Sequence, residues 1–431
     1  MSKLLYRLTI IYLLLIILEI SLFAESIDLE QCIYAALNKA YDLDSAKLKL
    51  ENSLDQRTVD LLDFLPQTAL YSNAKQDIEG NRYGTSGIVV SGDLYLWDTR
   101  WNEYKNSNLT YRSQQIEFAL ARKDKIIWII ELYSNILLLH TELDNYLHSK
   151  ELYLSEVEFI RQLMTVGKRS EFDLVSAQLE IQNIEIEIEK ISNEVQQKKH
   201  QLSLETGLEM EKMTELDEIE IPSLQNMTFI KVSEFPEYRQ QELFNNQYRN
   251  QRNMSRNNLF PDLYLNGYYE WKNAKYWEDS NKIYDYEGNF ISRDATQDYW
   301  EVSLNIYYPL GNLIRNVYDY RIASRELIIQ ENKTKIIENE LELKIRNLEA
   351  NLDLKKKEID LQRDRFILSE RKFELARERF RSGLISFLDY SSSVEEKNAA
   401  QLGLKRIQFE FLSTYLEWQR LTGQDLLHKY N

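Results

Sequence analysis

The side chains able to do chemistry are few, and their spacing gives no foothold for making or breaking bonds. The four histidines, His140, His148, His200 and His428, are scattered, and Cys32 is the single cysteine, so neither a metal-ligand set nor a disulfide framework can be assembled. No glycine-rich phosphate loop, HExxH or GxSxG occurs. What does recur is a serine followed three positions later by an aspartate, just behind a glycine: Ser170-x-x-Asp173 after Gly167, and Ser386-x-x-Asp389 after Gly383. This is capping-box spacing, in which a hydroxyl and a carboxylate satisfy the first amides of a helix. These residues offer helix capping and a fixed negative charge. No cofactor or metal is expected, and the chain does not read as an enzyme.

The elements that must position these aspartates are long helices. With 431 residues, only 12 Gly and 5 Pro, 28% charged side chains and a mean hydropathy of -0.50, the chain has few turns and much solvated helix. From Leu352 to Phe380 it carries two heptad stripes, Leu352, Ile359, Phe366, Phe373, Phe380 and Leu354, Leu361, Leu368, Leu375. Positions two apart on a helix lie about 200° apart, so the stripes run down nearly opposite flanks and predict a partner on each side. That suits the wall of a helical barrel as well as an ordinary coiled coil. The segment from Asn312 to about Ser382 would be a helix of roughly 105 Å, and Asn102 to Val166 nearly as long, at about 1.5 Å per residue. Asp28 to Phe64 and Ser170 to Thr206 predict shorter helices. The heptad Leu174, Ile181, Ile188, Val195, Leu202 outweighs the local strand period at residues 184–188. A net charge of -16 and an isoelectric point near 5.0 speak against nucleic acid as a partner.

The first residues supply an address. Lys3 and Arg7 precede an apolar run from Leu8 to Leu18, then Ser21-Leu22-Phe23-Ala24. Such a run covers only about 16 Å as a helix against roughly 30 Å of hydrocarbon, so residues 1–24 read as a secretory signal peptide, with an uncleaved anchor as the alternative. Glu30 and Gln31 before Cys32 occupy sites where lipoprotein processing needs small residues, so acylation is not expected.

The remainder repeats itself. Tyr41 precedes Pro66 by the same distance as Pro236 precedes Pro261, and Gly167 to Gly207 matches Gly383 to Gly423, with Thr206 and Thr422 before the closing glycines. Each half reads as helix, proline stop, two strands, very long helix, glycine turn and shorter helix. Residues 299–308 alternate Trp300, Val302, Leu304, Ile306 with Glu301, Ser303, Asn305, and Leu263, Leu265, Tyr269, Trp271 alternate with Asp262, Asn266, Glu270. Strands of about ten residues with aromatic ends follow the outer-membrane pattern. In the first half the strands are expected at 67–77 and 86–97, around a turn at Gly80–Gly84, and in the second a polar loop runs from Lys272 to about Asp298. Four strands cannot close a barrel in lipid, so copies of the chain must assemble if these strands span a membrane.

The duplicated order, with Asp28-Leu29-Glu30-Gln31, Ala35-Ala36-Leu37, Leu96-Trp97-Asp98 and Pro309-Leu310-Gly311-Asn312, resembles the TolC family of outer-membrane channels. The resemblance implies a mainly α fold with a membrane β-barrel contribution: four long-helix wall strips and four transmembrane strands per protomer, giving a homotrimer with a 12-stranded barrel on a 12-helix tunnel. It implies the order signal peptide (1–24), first-repeat helix (25–66), transmembrane strands (67–97), periplasmic helical hairpin (98–207), equatorial segment (208–235), second-repeat helix (236–260), transmembrane strands (261–309), second periplasmic hairpin (310–423) and equatorial tail (424–431). It implies an exit duct for drugs, toxins or proteins, contacting outer-membrane lipid and working with a periplasmic adaptor (membrane fusion protein) and an inner-membrane pump of RND or ABC type. The adaptor would dock on the tips, Val166, Gly167, Lys168 and Ser382, Gly383, Leu384. In the family an aspartate matching Asp389 lines the periplasmic constriction, which also draws in its counterpart Asp173; the second carboxylate ring falls at Ser392, the latching arginine at Ile385 and the aromatic latch at Phe380. The chain departs from the pattern at Ala40-Tyr41, where the family has Asn-Pro, and at Thr99-Arg100, where it has a glycine pair. The other reading is a secreted periplasmic coiled-coil scaffold, which explains the helices and the signal peptide but not the aromatic-ended strands.

Overall fold

The computed structural model describes residues 28–76, 82–95, 99–209, 216–222, 230–276 and 295–424. The expected signal peptide, the tip of the loop before β4 and the C-terminal tail lie outside them. In chain order the elements are α1 (Leu29–Lys39), α2 (Tyr41–Leu62), β1 (Gln67–Gln76), β2 (Arg82–Tyr95), α3 (Thr99–Thr165), α4 (Glu171–Thr206), α5 (Pro236–Asn257), β3 (Asp262–Tyr276), β4 (Ala295–Tyr307), α6 (Leu313–Arg381) and α7 (Phe387–Thr422), with short 3-10 turns before α5 and α6. Two compact units share this chain. One takes the chain up to Ala46, Phe118–Pro236 and Asn339 onward; the other takes Lys47–Glu117 and Glu237–Glu338.

Three expectations change at element boundaries. The helix expected from Asp28 to Phe64 is broken at Ala40, which is extended at ψ 108° and buried, while Asp42 and Asp44 open the new helix with acidic groups at its N-terminus. β2 begins at Arg82, inside the segment expected as a turn at Gly80–Gly84, whose first residues lie outside the described ones. The polar loop expected from Lys272 also starts later, since β3 continues to Tyr276.

In the first unit, two apolar cores hold the helices together. Leu29, Cys32, Ile33 and Ala36 of α1 pack with Ile126, Ile129, Tyr133 and Ile136 of α3, Leu202 of α4 and Leu412 and Leu416 of α7. Burial here pushes the Cys32 thiol up to about 12, so it stays protonated and acts as a small apolar group. The α3 segment through Ile136 is apolar enough to resemble a membrane span, but Ile126, Ile129 and Ile136 spend that apolarity on the core. The second core joins Tyr153, Val157 and Ile160 of α3, Ala177 and Ile184 of α4, Phe373 and Phe380 of α6, and Phe387, Tyr390 and Val394 of α7.

The α6 stripes then separate. Leu352, Ile359, Phe373 and Phe380 are buried, whereas Leu354, Leu361, Leu368 and Leu375 are all more than half exposed. Phe172, Leu179 and Ile186 form a similar exposed row on α4. One flank of each helix is satisfied within the chain; the other is apolar and bare.

In the second unit the strands form an antiparallel meander in the order β1-β2-β3-β4. The register sorts the side chains by face, because directly paired residues point the same way. Leu304 pairs with Leu265, which pairs with Leu94; Ile306 pairs with Leu263, and Trp300 with Tyr269, which pairs with Val90. The opposite face pairs Glu301 with Tyr268 and Ser303 with Asn266, which pairs with Asp93. There Tyr71 donates to Glu270, Asn266 to Asp93 and Asn305 to Ser303. One face is mainly apolar and the other is hydrogen-bonded and more polar. Strands β1 and β4 are the edges.

Candidate functional site: the paired hairpin turns

The candidate residues collect at two turns in the first unit, one joining α3 to α4 and one joining α6 to α7. Each helix ends the same way. Gly167 adopts φ 71° and donates to the Met164 carbonyl, while Lys168 donates back to Leu163; Gly383 adopts φ 78° and donates to Phe380, while Leu384 donates to Arg379. Both are Schellman ends, in which a left-handed residue reverses the chain. No atom crowds either glycine, so only its φ requires it. The reversal leaves Val166, Lys168, Ser382 and Leu384 exposed around the glycines, with Leu384 74% exposed.

The helices that follow begin differently. At α7 the capping box is complete: the Asp389 amide donates to the Ser386 hydroxyl at 3.2 Å, and the Asp389 carboxylate accepts from the Ser386 amide at 3.2 Å and from its hydroxyl at 2.7 Å. These bonds hold the Asp389 carboxyl below the usual carboxylate range while it remains exposed. Ser392, one turn on along the same face, is exposed too. At α4 only half the box forms. The Asp173 amide donates to Ser170 Oγ at 3.2 Å and the Ser170 hydroxyl donates to the Asp173 carboxylate at 3.0 Å, without the return bond from the Ser170 amide that completes the box at α7.

Asp173 serves the other hairpin instead. Its Oδ1 accepts from the Phe387 amide at 3.0 Å, the first amide of α7, and its second oxygen lies 3.7 Å from the Arg169 guanidinium. Arg169 in turn donates to the Ile385 carbonyl at 2.9 Å and to the Phe380 carbonyl, and lies 4.2 Å above the Phe380 ring. The hairpin between α3 and α4 thus places a cation on the carbonyl end of α6 and an anion on the amide end of α7, the signs that the two helix dipoles favour. Both side chains are 10% exposed or less, so the pair works in a medium where removing one partner strands the other.

Underneath lies the aromatic core. Phe380 is fully buried, stacked on Tyr390 at 4.9 Å and meeting Phe387 edge-on at 6.0 Å. Burial, with the Glu156 carboxylate beside it, raises Tyr390 to about 12, so its hydroxyl stays neutral. Glu156 is itself buried and accepts from Arg381 at 3.2 Å.

The sequence-derived residues therefore separate. Asp389 and Ser392 share an exposed face of α7, and the six tip residues lie at the two turns. Asp173, Phe380 and the half-buried Ile385 are joined inside the chain as a packing unit. Sequence reasoning missed Arg169 and Glu156. Arg169 occupies the position in the first turn that Ile385 occupies in the second, and its spacing of four from Asp173 was the available signal. Among the described residues no group of His, Cys, Asp or Glu could hold a metal ion.

A mainly helical chain with a four-stranded sheet, apolar on one face, and two capped helical hairpins is the fold found in solved outer-membrane channels. Residues 32–208 match the family model described as outer membrane efflux protein, and nearly the whole chain shares the fold of solved outer-membrane channels. It is similar to the outer-membrane channel OprN (TM-score 0.74, 15% identity, covering 92% of this chain and 90% of that one). It is also similar to the outer membrane protein VceC of Vibrio cholerae (0.72, 16%, 93% and 97%) and to the MtrE outer membrane channel of Neisseria gonorrhoeae in its open state (0.71, 15%, 94% and 90%). No curated protein sequence matches the chain.

Proposed function

We propose that three copies of this chain form the exit duct of a tripartite efflux or type I secretion machine, conducting its cargo passively from a periplasmic adaptor and an inner-membrane pump to the exterior. The observation that carries this reading is the four-stranded sheet with one mainly apolar face and two unpaired edges, β1 and β4. In hydrocarbon an unpaired backbone edge is untenable, so β4 of one copy must pair with β1 of the next; three copies supply twelve strands, within the range of closed membrane barrels. The apolar face then meets lipid, and Glu301, Ser303 and Asn305 line the lumen.

The helices support the same assembly. The bare Leu354, Leu361, Leu368, Leu375 row of α6 and the Phe172, Leu179, Ile186 row of α4 supply two apolar surfaces per protomer for neighbouring copies. The exposed tips, Val166–Lys168 and Ser382–Leu384, are the adaptor contact, and three Asp389 carboxylates with Ser392 form the constriction. Unboiled electrophoresis of detergent-extracted outer membranes tests the reading: a heat-labile trimer is expected, and a soluble periplasmic monomer would overturn it.

A further inference from the structure

The apolar face of the sheet carries a notch. Gly92 and Gly267 pair directly across β2 and β3, so two side chains are missing side by side from that face. Pro66 packs on Gly92, where an added Cβ would meet it at 3.5 Å, while a Cβ on Gly267 would meet nothing closer than 3.9 Å. The resulting cavity is about 450 Å³, bounded by Phe64, Pro66, Leu265 and Trp300. It lies at the end of the sheet where β1 starts and β2 stops, next to the first turn of α3. Arg100 of that turn lines the cavity, held by bonds to the Asp63 and Asp93 carbonyls at 2.9 and 2.6 Å and lying 5.5 Å over the Phe64 ring. Trp101 meets Phe64 edge-on at 6.2 Å and carries the exposed Lys105 ammonium 5.3 Å above its ring.

We infer that this notch holds one glycerophospholipid per protomer, with an acyl chain over the paired glycines and the phosphate beside Arg100 and Lys105. A mainly apolar trough with Arg100 on its lining, Asp93 and Glu301 also bordering it and Lys105 further along α3 beside Trp101, matches a molecule with a hydrocarbon chain and a head that carries both an anionic phosphate and hydrogen-bond donors, and Trp and Tyr prefer that interfacial depth. The inference rests on the proposed barrel orientation, which puts this end at the phospholipid leaflet.

Native mass spectrometry of trimers washed in detergent and then incubated with phosphatidylethanolamine or phosphatidylglycerol tests it. The wild type should keep one lipid per protomer. Gly267→Leu, which fills the trough, should lose it at least tenfold, whereas Ser72→Leu on the same face outside the notch should not. Lys105→Ala, outside the sheet, should weaken retention several-fold and provides the reading should Gly267→Leu fail to assemble. Equal lipid counts in wild type and Lys105→Ala, or in wild type and an assembled Gly267→Leu, would overturn the notch. A wild type that forms no outer-membrane trimer would overturn the channel reading instead.

Discussion

The Asp173 carboxylate accepts a hydrogen bond from the backbone amide of Phe387 at 3.0 Å, so a residue of one hairpin caps the first helical amide of the other. Its counterpart in the repeat, Asp389, caps only its own helix. Two aspartates that look alike in sequence therefore have different duties. Asp173→Ala should leave a buried amide and the Arg169 guanidinium without their partner and cost about 2–4 kcal/mol. Asp389→Ala removes only an exposed cap and should cost clearly less. Thermal unfolding of the two variants followed by circular dichroism checks the order, and a larger loss for Asp389→Ala would refute the assignment of duties.

Tyr390 gives a prediction of opposite sign. Its hydroxyl is buried without a hydrogen bond to the protein, while its ring stacks on Phe380. Tyr390→Phe keeps the stack and removes a desolvated polar group, so stability should hold or rise by up to about 1 kcal/mol. A clear drop in the unfolding midpoint would show that the hydroxyl is used.

Much of this fold was legible because its signals are periodic. The heptads of α4 and α6 outlast any local ambiguity: Ile184, Ile186 and Ile188 read as a strand over five residues, yet Ile184 is buried and Ile186 exposed, as a helix requires. The strand faces were legible because one residue of slip would have put Leu304 among the polar groups. The break at Ala40 carries no proline or glycine to announce it. Arg169 was hidden because its partners, Phe380 and Ile385, are far along the chain, and no spacing rule links two turns that meet only through tertiary packing.

The sheet faces can be tested by placing a charge on each. Arg at Leu304, on the apolar face, should cost roughly 2–4 kcal/mol at mid-membrane depth, whereas Arg at Ser303, on the hydrogen-bonded face, should be tolerated. Outer-membrane trimer yield reads the difference, and equal assembly of the two would invalidate the assignment of faces.

Acidity should act through Glu395. It borders a cavity of about 370 Å³ with Glu142, Glu180 and Glu187, and its pKa is raised first by burial and then by Glu180. A carboxyl with a raised folded-state pKa opposes folding while ionised, so stability should increase as the pH falls through that value. Glu395→Gln should raise the unfolding midpoint at neutral pH, by less than about 1 kcal/mol because the group is partly solvated. The gain should vanish in acid. A gain independent of pH would show that charge is not the cause.

The last test separates charge from capping at Asp389. Its carboxylate is exposed and held ionised by Ser386, and threefold assembly would bring three such groups together in the proposed constriction. The bonds to Ser386 lower its pKa, whereas the neighbouring copies would raise it, so the ring should bind cations most where water is thinned and at neutral pH. Planar-bilayer recordings of the wild type should then show cation selectivity and block by trivalent cations added from the periplasmic side. Asp389→Asn keeps an oxygen for the Ser386 amide and removes the charge. It should relieve the block while leaving the unfolding midpoint close to that of wild type, as for most surface substitutions. Lys168→Glu at the exposed tip, which adds a negative charge outside the constriction, should leave the block in place. Persistence of block in Asp389→Asn would mean that this carboxylate is a helix cap and nothing more.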